Sequence, residues 1–240
     1  MKFAYEFRNT EYAKKLVEKL NNISSEKINI MEVCGTHTMA IFKYGIRDVL
    51  PSNINLISGP GCPVCVTPQS YIDAVLTLCT KKDVIIATFG DMMRVPGKKG
   101  SLSKKKEEGF DVRIVYSPMD CLTMASQNPS KKIVFLSVGF ETTAPMTSLT
   151  VIEAKKNNIK NLFFATAHKI VPPVMKILVQ DKELNIDGFL LPGHICAISG
   201  TKPYEFLSED YNTSGVVTGF EPLDILQGLN KIGRASCRER

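Results

Sequence analysis

The sequence predicts an α/β protein: two similar three-layer domains with largely parallel sheets facing a central cleft, preceded by an N-terminal helix. Three observations carry this reading. Eight short β-branched runs recur along the chain, "KINIMEV", "INLISG", "DVIIATFG", "VRIVYSP", "KKIVFLSVGF", "NLFFATAH", "DGFLLPGH" and "GVVTGF". None alternates cleanly between apolar and polar residues, which suits strands covered on both faces. Each is followed by glycine, proline or a small polar residue and then by a helix-like segment, the grammar of βαβ units.

Taken in order, Tyr12, Leu16, Val17 and Leu20 fall at helical spacing, so residues 1–24 read as an amphipathic helix. The strands fall into two batches, about Lys27 to Tyr116 and Lys131 to Phe220. Between them lies "SPMDCLTMASQNPSKK", the weakest-patterned stretch. The predicted domains are therefore 25–125 and 126–232, with one continuous sheet as the alternative. Residues 233–240, "GRASCRER", break from the helix-like "EPLDILQGLNKI" into an Arg-rich tail with no apolar period, and are read as a foreign or read-through tail.

The composition, 44% hydrophobic and 22% charged over 240 residues, is that of an ordinary globular protein. A chain of this size buries roughly 70% of its unfolded surface, so neither disulfide nor metal is needed merely to hold it together. The net charge of +6 is mild, and its one dense basic run, "GKKGSLSKKKEEG", carries no interleaved aromatic residues for base stacking. Nothing therefore points to nucleic acid. The N-terminal segment has neither the apolar core of a signal peptide nor a membrane-spanning length. A cytoplasmic location without membrane contact follows as the expectation. In that reducing compartment a close cysteine pair is more often catalytic, redox-active or metal-binding than a structural disulfide.

Ligands in open α/β sheets bind at the carboxyl ends of strands, and the chemistry-bearing residues sit there. Cys34 and His37 follow "INIMEV", Cys62 and Cys65 follow "INLIS", Glu141 with Thr142 and Thr143 follows "IVFLSVGF", His168 follows "LFFAT", and His194 follows "GFLLP". In "GPGCPVC" two thiols separated by two residues at a helix start can reach one another, and the helix N-terminus favours the thiolate. A redox dithiol is the preferred reading; a metal site using part of the pair and bland helix-start cysteines are the alternatives. "EVCGTHT" sets a thiol three residues from an imidazole, which suits a thiophilic metal such as iron or zinc, or a cysteine nucleophile with a histidine base. The glycines beside His37 and His194 suggest close approach of a ligand. His168 is read as structural, Cys79, Cys121 and Cys196 as small apolar core residues, and "GFETTAP" as either a helix cap or a functional segment. No phosphate-binding P-loop, dinucleotide loop, G-x-S-x-G elbow or H-E-x-x-H helix is present, so nucleotide binding and common hydrolase chemistry lack support.

Five stretches, "EVCGTHT", "SGPGCPVCVTP", "GFETTAP", "LPGH" and "TGFEPLDILQG", in this order and at these separations, closely resemble the HypD family of hydrogenase maturation factors. The resemblance runs from about Ile30 to Leu229. It implies a scaffold rather than a conventional enzyme, holding iron while cyanide and carbon monoxide ligands are installed for nickel–iron hydrogenases. A small HypC-type chaperone and a HypE-type cyanide donor are the implied partners. By the same resemblance Cys34 is the iron ligand, Cys62 and Cys65 are a redox-active dithiol, and His37, Glu141 and His194 line the cleft. Full-length members continue with four further cysteines that bind a [4Fe–4S] cluster, whereas this sequence turns into "GRASCRER". The departure leads us to expect no cluster here and an N-terminal helix without its normal packing surface. A stand-alone thiol–disulfide oxidoreductase using Cys62 and Cys65 is the alternative function.

Overall fold

The computed structural model of the protein describes residues 5–23 and 26–238, with side chains through residue 235. The chain forms two compact units. One comprises the residues up to Cys62 together with those from Val171 onward, and the other comprises Pro63–Ile170.

The first unit opens with a 3-10 turn at Glu6–Arg8 and helix α1 (Thr10–Asn21), capped by the Asn9 side chain, which accepts from the Tyr12 N–H at 2.9 Å. Strand β1 (Ile28–Glu32) leads through α2 (Gly35–Lys43) and α3 (Ile46–Val49) to β2 (Ile54–Ser58). In the second unit the order is α4 (Gln69–Cys79), β3 (Val84–Thr88), a 3-10 turn (Gly90–Arg94), α5 (Leu102–Glu107), β4 (Val112–Ile114), α6 (Asp120–Gln127), β5 (Lys132–Ser137), α7 (Ala144–Lys156) and β6 (Leu162–Thr166). The chain then returns to the first unit with α8 (Val171–Gln180), β7 (Gly188–Pro192), α9 (Gly193–Ser199), a 3-10 turn (Lys202–Tyr204), α10 (Phe206–Glu209), β8 (Ser214–Thr218) and α11 (Pro222–Arg238).

All eight predicted strands form, and every pairing is parallel. The sheets run β2-β1-β7-β8 and β4-β3-β5-β6, so both units have the same topology. In each, the two central strands hand the chain to opposite sides, and this reversal point is where parallel sheets leave room for a ligand. The helices make the outer layers. In the first unit Ile28, Ile30, Ile54, Leu56 and Leu190 pack with α1, α2 and α11 on one face, while Gly215 of β8 lies beside Leu191 of β7 and Leu207 of α10. The second sheet buries Val84, Ile86, Val134 and Leu136 against α4 and α5. Its opposite face buries Ile85, Ala87, Ile133 and Phe135 against Cys121 and Ala125 of α6.

The unit boundaries differ from the predicted domains. A division after residue 125 falls inside α6, within the second unit. The first unit is closed instead by a long-range pairing of β1 with β7, Ile30 opposite Gly188, which no local pattern encodes. The weakly patterned stretch between the strand batches is largely α6, anchored by the buried Cys121 and Ala125, so it packs as core rather than linking.

Two further expectations are corrected at the termini. Helix α11 runs without interruption to Arg238, past the predicted break at Gly233; residues 239–240 of the expected tail lie outside the described residues. The N-terminal helix does have a packing surface, because Leu16 and Leu20 bury against α11 residues Leu226, Leu229 and Ile232. Asn230 ties the two helices by donating to the Leu16 carbonyl at 3.1 Å, and Arg8 forms a two-pronged ion pair with Glu221 at 2.6 and 2.7 Å. Residues 1–4 and 24 of the predicted helical segment lie outside the described residues. Among the described residues no helix is long and apolar enough to cross a membrane.

Candidate functional site

The first unit concentrates soft donor groups at the carboxyl ends of its strands. Cys34 leaves β1 in an extended conformation (φ −149°, ψ 125°) and is the N-cap residue of α2, buried at 5% exposure. Its position is set by Glu32, the last residue of β1, whose carboxylate accepts from the Cys34 N–H at 3.2 Å and from the Thr38 hydroxyl at 2.5 Å. Glu32 is fully buried. Burial holds its pKa above the ordinary carboxylate value, against the opposing hydrogen bonds from Thr38, Ser58 and the Cys34 N–H.

The loop after β2 closes on this turn. The Gly59 N–H donates to the Glu32 carbonyl at 2.8 Å, and the Gly35 N–H donates to the Gly61 carbonyl at 3.2 Å. A Cβ on Gly61 would lie 2.5 Å from the Cys34 Cα and from the Gly35 nitrogen, so only glycine permits this approach. The residue after Gly61 is Cys62. Backbone packing therefore brings the start of the thiol pair against the turn that carries Cys34.

His37 and His194 come together around Phe220, which follows β8. Their ring centroids lie 4.7 and 5.1 Å from that of Phe220. His37 is completely buried, its Nε2 at 3.0 Å from the Gly219 carbonyl and 2.9 Å from the Thr218 hydroxyl. Its Nδ1 is buried without a hydrogen-bond partner. Burial, reinforced by His194, holds the His37 pKa below the ordinary imidazole value, against the pull of the Gly219 carbonyl.

The thiol pair departs from expectation. Cys62 and Cys65 do not start a helix; they lie in an irregular turn, and α4 begins only at Gln69. The turn is closed by Thr67, whose hydroxyl donates to the Pro63 carbonyl at 2.8 Å and whose N–H donates to the Val64 carbonyl at 3.1 Å. Cys65 is exposed and Cys62 half-buried, whereas Cys79, Cys121 and Cys196 are buried. Burial pushes the Cys121 thiol up to about 12 and raises that of Cys79, as suits core residues.

Glu141, half-buried in the loop after β5, belongs to the second unit. Thr143 occupies the N-cap position of α7 but makes no side-chain cap. Its hydroxyl donates instead to the Phe140 carbonyl and lies 3.0 Å from His168 Nε2, while the Ser137 hydroxyl lies 3.1 Å from Nδ1. Both His168 nitrogens are thus engaged by hydroxyls, as a structural histidine requires.

Glu32 went unrecognised in the sequence, although a lone carboxylate in the otherwise apolar run "INIMEV" was the available signal. Thr218 and Phe220 lie in the quoted stretch "TGFEPLDILQG" but were not singled out as site residues, because the pairing of β7 with β8 that brings them there is long-range. Among the described residues no group of three or more His, Cys, Asp or Glu side chains is arranged to hold a metal ion.

Fold and site together define a class: a parallel α/β protein that carries a buried thiol and imidazoles on strand-end turns. The chain belongs to the HypD family; the family model described as the hydrogenase formation hypA family matches residues 11–240. Among curated relatives it is 46% identical over 236 residues to the hydrogenase maturation factor HypD of Escherichia coli K12, an alignment covering 95% of this chain and 63% of that one. It is 42% identical to the HypD of Rhodobacter capsulatus, over 100% of this chain and 66% of the relative. The HypD of Cupriavidus necator is 41% identical, over 95% and 63%. The chain thus spans somewhat less than two thirds of the length of these relatives.

Proposed function

We propose that this chain acts in hydrogenase maturation, as a scaffold on which an iron ion receives cyanide and carbon monoxide ligands. Iron is here the cargo, and Cys34 is the residue that holds it. A thiolate is a soft donor, suited to low-spin iron with strong-field ligands. Cys62 and Cys65 are the dithiol that exchanges electrons during ligand attachment. His37 and His194 are further polar residues of the ligand site in the first unit. A HypC-type chaperone supplies donors that complete the iron shell, and a HypE-type partner delivers cyanide in the cytoplasm. A [4Fe–4S] cluster belongs, on this reading, to the additional length of full-length relatives.

The observation that carries the proposal is the construction of the Cys34 turn. A buried carboxylate and a glycine-only contact hold one thiol at the strand end, in a chain 46% identical to a hydrogenase maturation factor. The stand-alone oxidoreductase reading is weaker, because it leaves the construction of the Cys34 turn without a task.

The test is infrared spectroscopy with iron analysis on anaerobically purified protein, coexpressed with HypC-type and HypE-type partners, comparing wild type with Cys34→Ala. Cyanide and carbonyl stretching bands in wild type that vanish in the variant are expected. Equal bands in both proteins would remove Cys34 from the iron site. Bands in neither, together with metal-free disulfide reduction lost in Cys62→Ser, would replace the scaffold with the oxidoreductase.

A further inference from the structure

The stretch Thr218-Gly219-Phe220 spans the last residue of β8 and the turn into α11. Its backbone and side chains surround one end of the His37 ring. The Gly219 carbonyl, 3.0 Å from Nε2, can only accept a hydrogen bond. Nε2 must therefore carry the proton, and the Thr218 hydroxyl at 2.9 Å shares it as a second acceptor. A bare Nε2 would set its lone pair against the carbonyl oxygen. Full burial favours the neutral ring, and a neutral ring protonated on Nε2 has none on Nδ1. Nδ1 is the nitrogen without a partner, and, being bonded to the ring carbon that joins the side chain, it is the nitrogen nearer the residue's own backbone. That helix begins at Cys34.

We infer that the β8–α11 turn, Thr218-Gly219-Phe220, is a positioning element that locks His37 as the Nε2–H tautomer and presents the bare Nδ1 lone pair to the ligand of the Cys34 site. Phe220 completes the lock. Its ring lies against both His37 and His194, and so opposes the half-turn of the imidazole that would exchange its nitrogens for carbons. The arrangement follows the general rule by which the hydrogen bond at one ring nitrogen decides what the other can bind. A histidine held this way offers an electron pair to a cation, here ferrous iron, and no N–H to an anion. The inference rests on the proposed site for its ligand but not for the lock itself.

The experiment is long-range proton–nitrogen NMR on the full chain labelled at histidine nitrogens, near neutral pH and without metal. The expected wild-type result is a single His37 Nε2–H tautomer. Loss of one hydroxyl partner in Thr218→Val should raise the minor tautomer about fivefold, the equivalent of one ordinary hydrogen bond. Phe220→Leu should do so further. Cys34→Ala should leave the tautomer unchanged, because the lock comes from β8. An Nδ1–H tautomer in wild type, or the same spectrum in wild type and both turn variants, overturns the inference. If Phe220→Leu does not fold, Thr218→Val, which keeps the side-chain shape, decides. Anaerobic ferrous iron is then titrated in with the HypC-type partner. A locked tautomer whose Nδ1 signal does not respond would refute the iron site while the lock stands; a response at Nδ1 in wild type supports both.

Discussion

The two units share one topology and both carry histidine beside their strand ends, yet His37 of the first and His168 of the second are used in opposite ways. In the second unit His168 closes a chain of hydroxyls. Ser137 lies at 3.1 Å from Nδ1, Thr143 at 3.0 Å from Nε2, and Thr143 passes its own proton to the Phe140 carbonyl. In the first unit His37 is anchored at one nitrogen and bare at the other, three residues from a thiol. The same backbone plan therefore supports a finished hydrogen-bond network in one unit and an unfinished one in the other. An unsatisfied buried polar atom costs about 1–3 kcal/mol, a cost that His168 avoids and His37 bears.

The largest expected difference between the two lies in iron retention. Cys34→Ala should abolish iron recovered with the protein after anaerobic coexpression, whereas His168→Gln should leave the iron content at the wild-type level. Metal analysis of both purified variants checks this. Equal loss in both would mean that the second unit's histidine serves the same ligand and that the contrast between the units is false.

Next in size is the response of the two tight glycine contacts. An alanine at Gly61 meets backbone, the Cys34 Cα at 2.5 Å and its carbonyl carbon at 2.6 Å, which cannot step aside. At Gly139 the obstruction is the Thr143 side chain, which can rotate, though at the cost of the His168 network. Overpacking of this kind predicts a loss of about 3 kcal/mol or more for Gly61→Ala and about 1 kcal/mol for Gly139→Ala by urea unfolding. Comparable losses would show that the Cys34 turn is more compliant than its contacts imply.

These contrasts also show what could be read from the residues in order. The eight strands were legible because each is a short apolar run buried from both sides, as in β3, where all five residues are buried. Cys34, His37, His168 and His194 were legible as strand-end residues for the same reason. Assignment of strands to sheets was not, because the Ile30–Gly188 pairing joins residues far apart in sequence and either half of the chain could have supplied the partner. Cys62 and Cys65 were found, but their helix start was not, because the residues from Pro63 to Pro68 form a turn held by Thr67, including one side-chain hydrogen bond. Thr143 misled in the opposite sense: its sequence position is that of a cap, and its hydroxyl is diverted to a histidine 25 residues away.

A smaller effect tests whether the second network is as complete as its geometry indicates. Ser137→Ala and Thr143→Val each remove one hydroxyl from His168 and should each cost about 1 kcal/mol, with a double variant costing less than the sum because both act on one ring. Denaturant titration of the two singles and the double gives the coupling. Strict additivity would mean that the two hydrogen bonds are independent and that His168 is not held as a unit.

The subtlest difference should appear in pH dependence. Burial depresses the pKa of both His37 and His168. Each is therefore neutral in the folded chain under conditions where the unfolded chain binds a proton. The unfolded state then takes up more protons, so stability must fall as pH drops below the ordinary imidazole value of about 6.5. Glu32 acts with the opposite sign, since its raised pKa adds stability at low pH that is lost as pH rises through its folded value. Single variants separate these contributions. His168→Gln should flatten the acid limb of a urea-stability profile between about pH 7.5 and 5.5 by one imidazole's share. His37→Gln should flatten it too, and more strongly, because His37 is fully buried whereas His168 is only partly so. A steeper effect from His168 would place the more constrained histidine in the second unit and reverse the assignment of which network is finished.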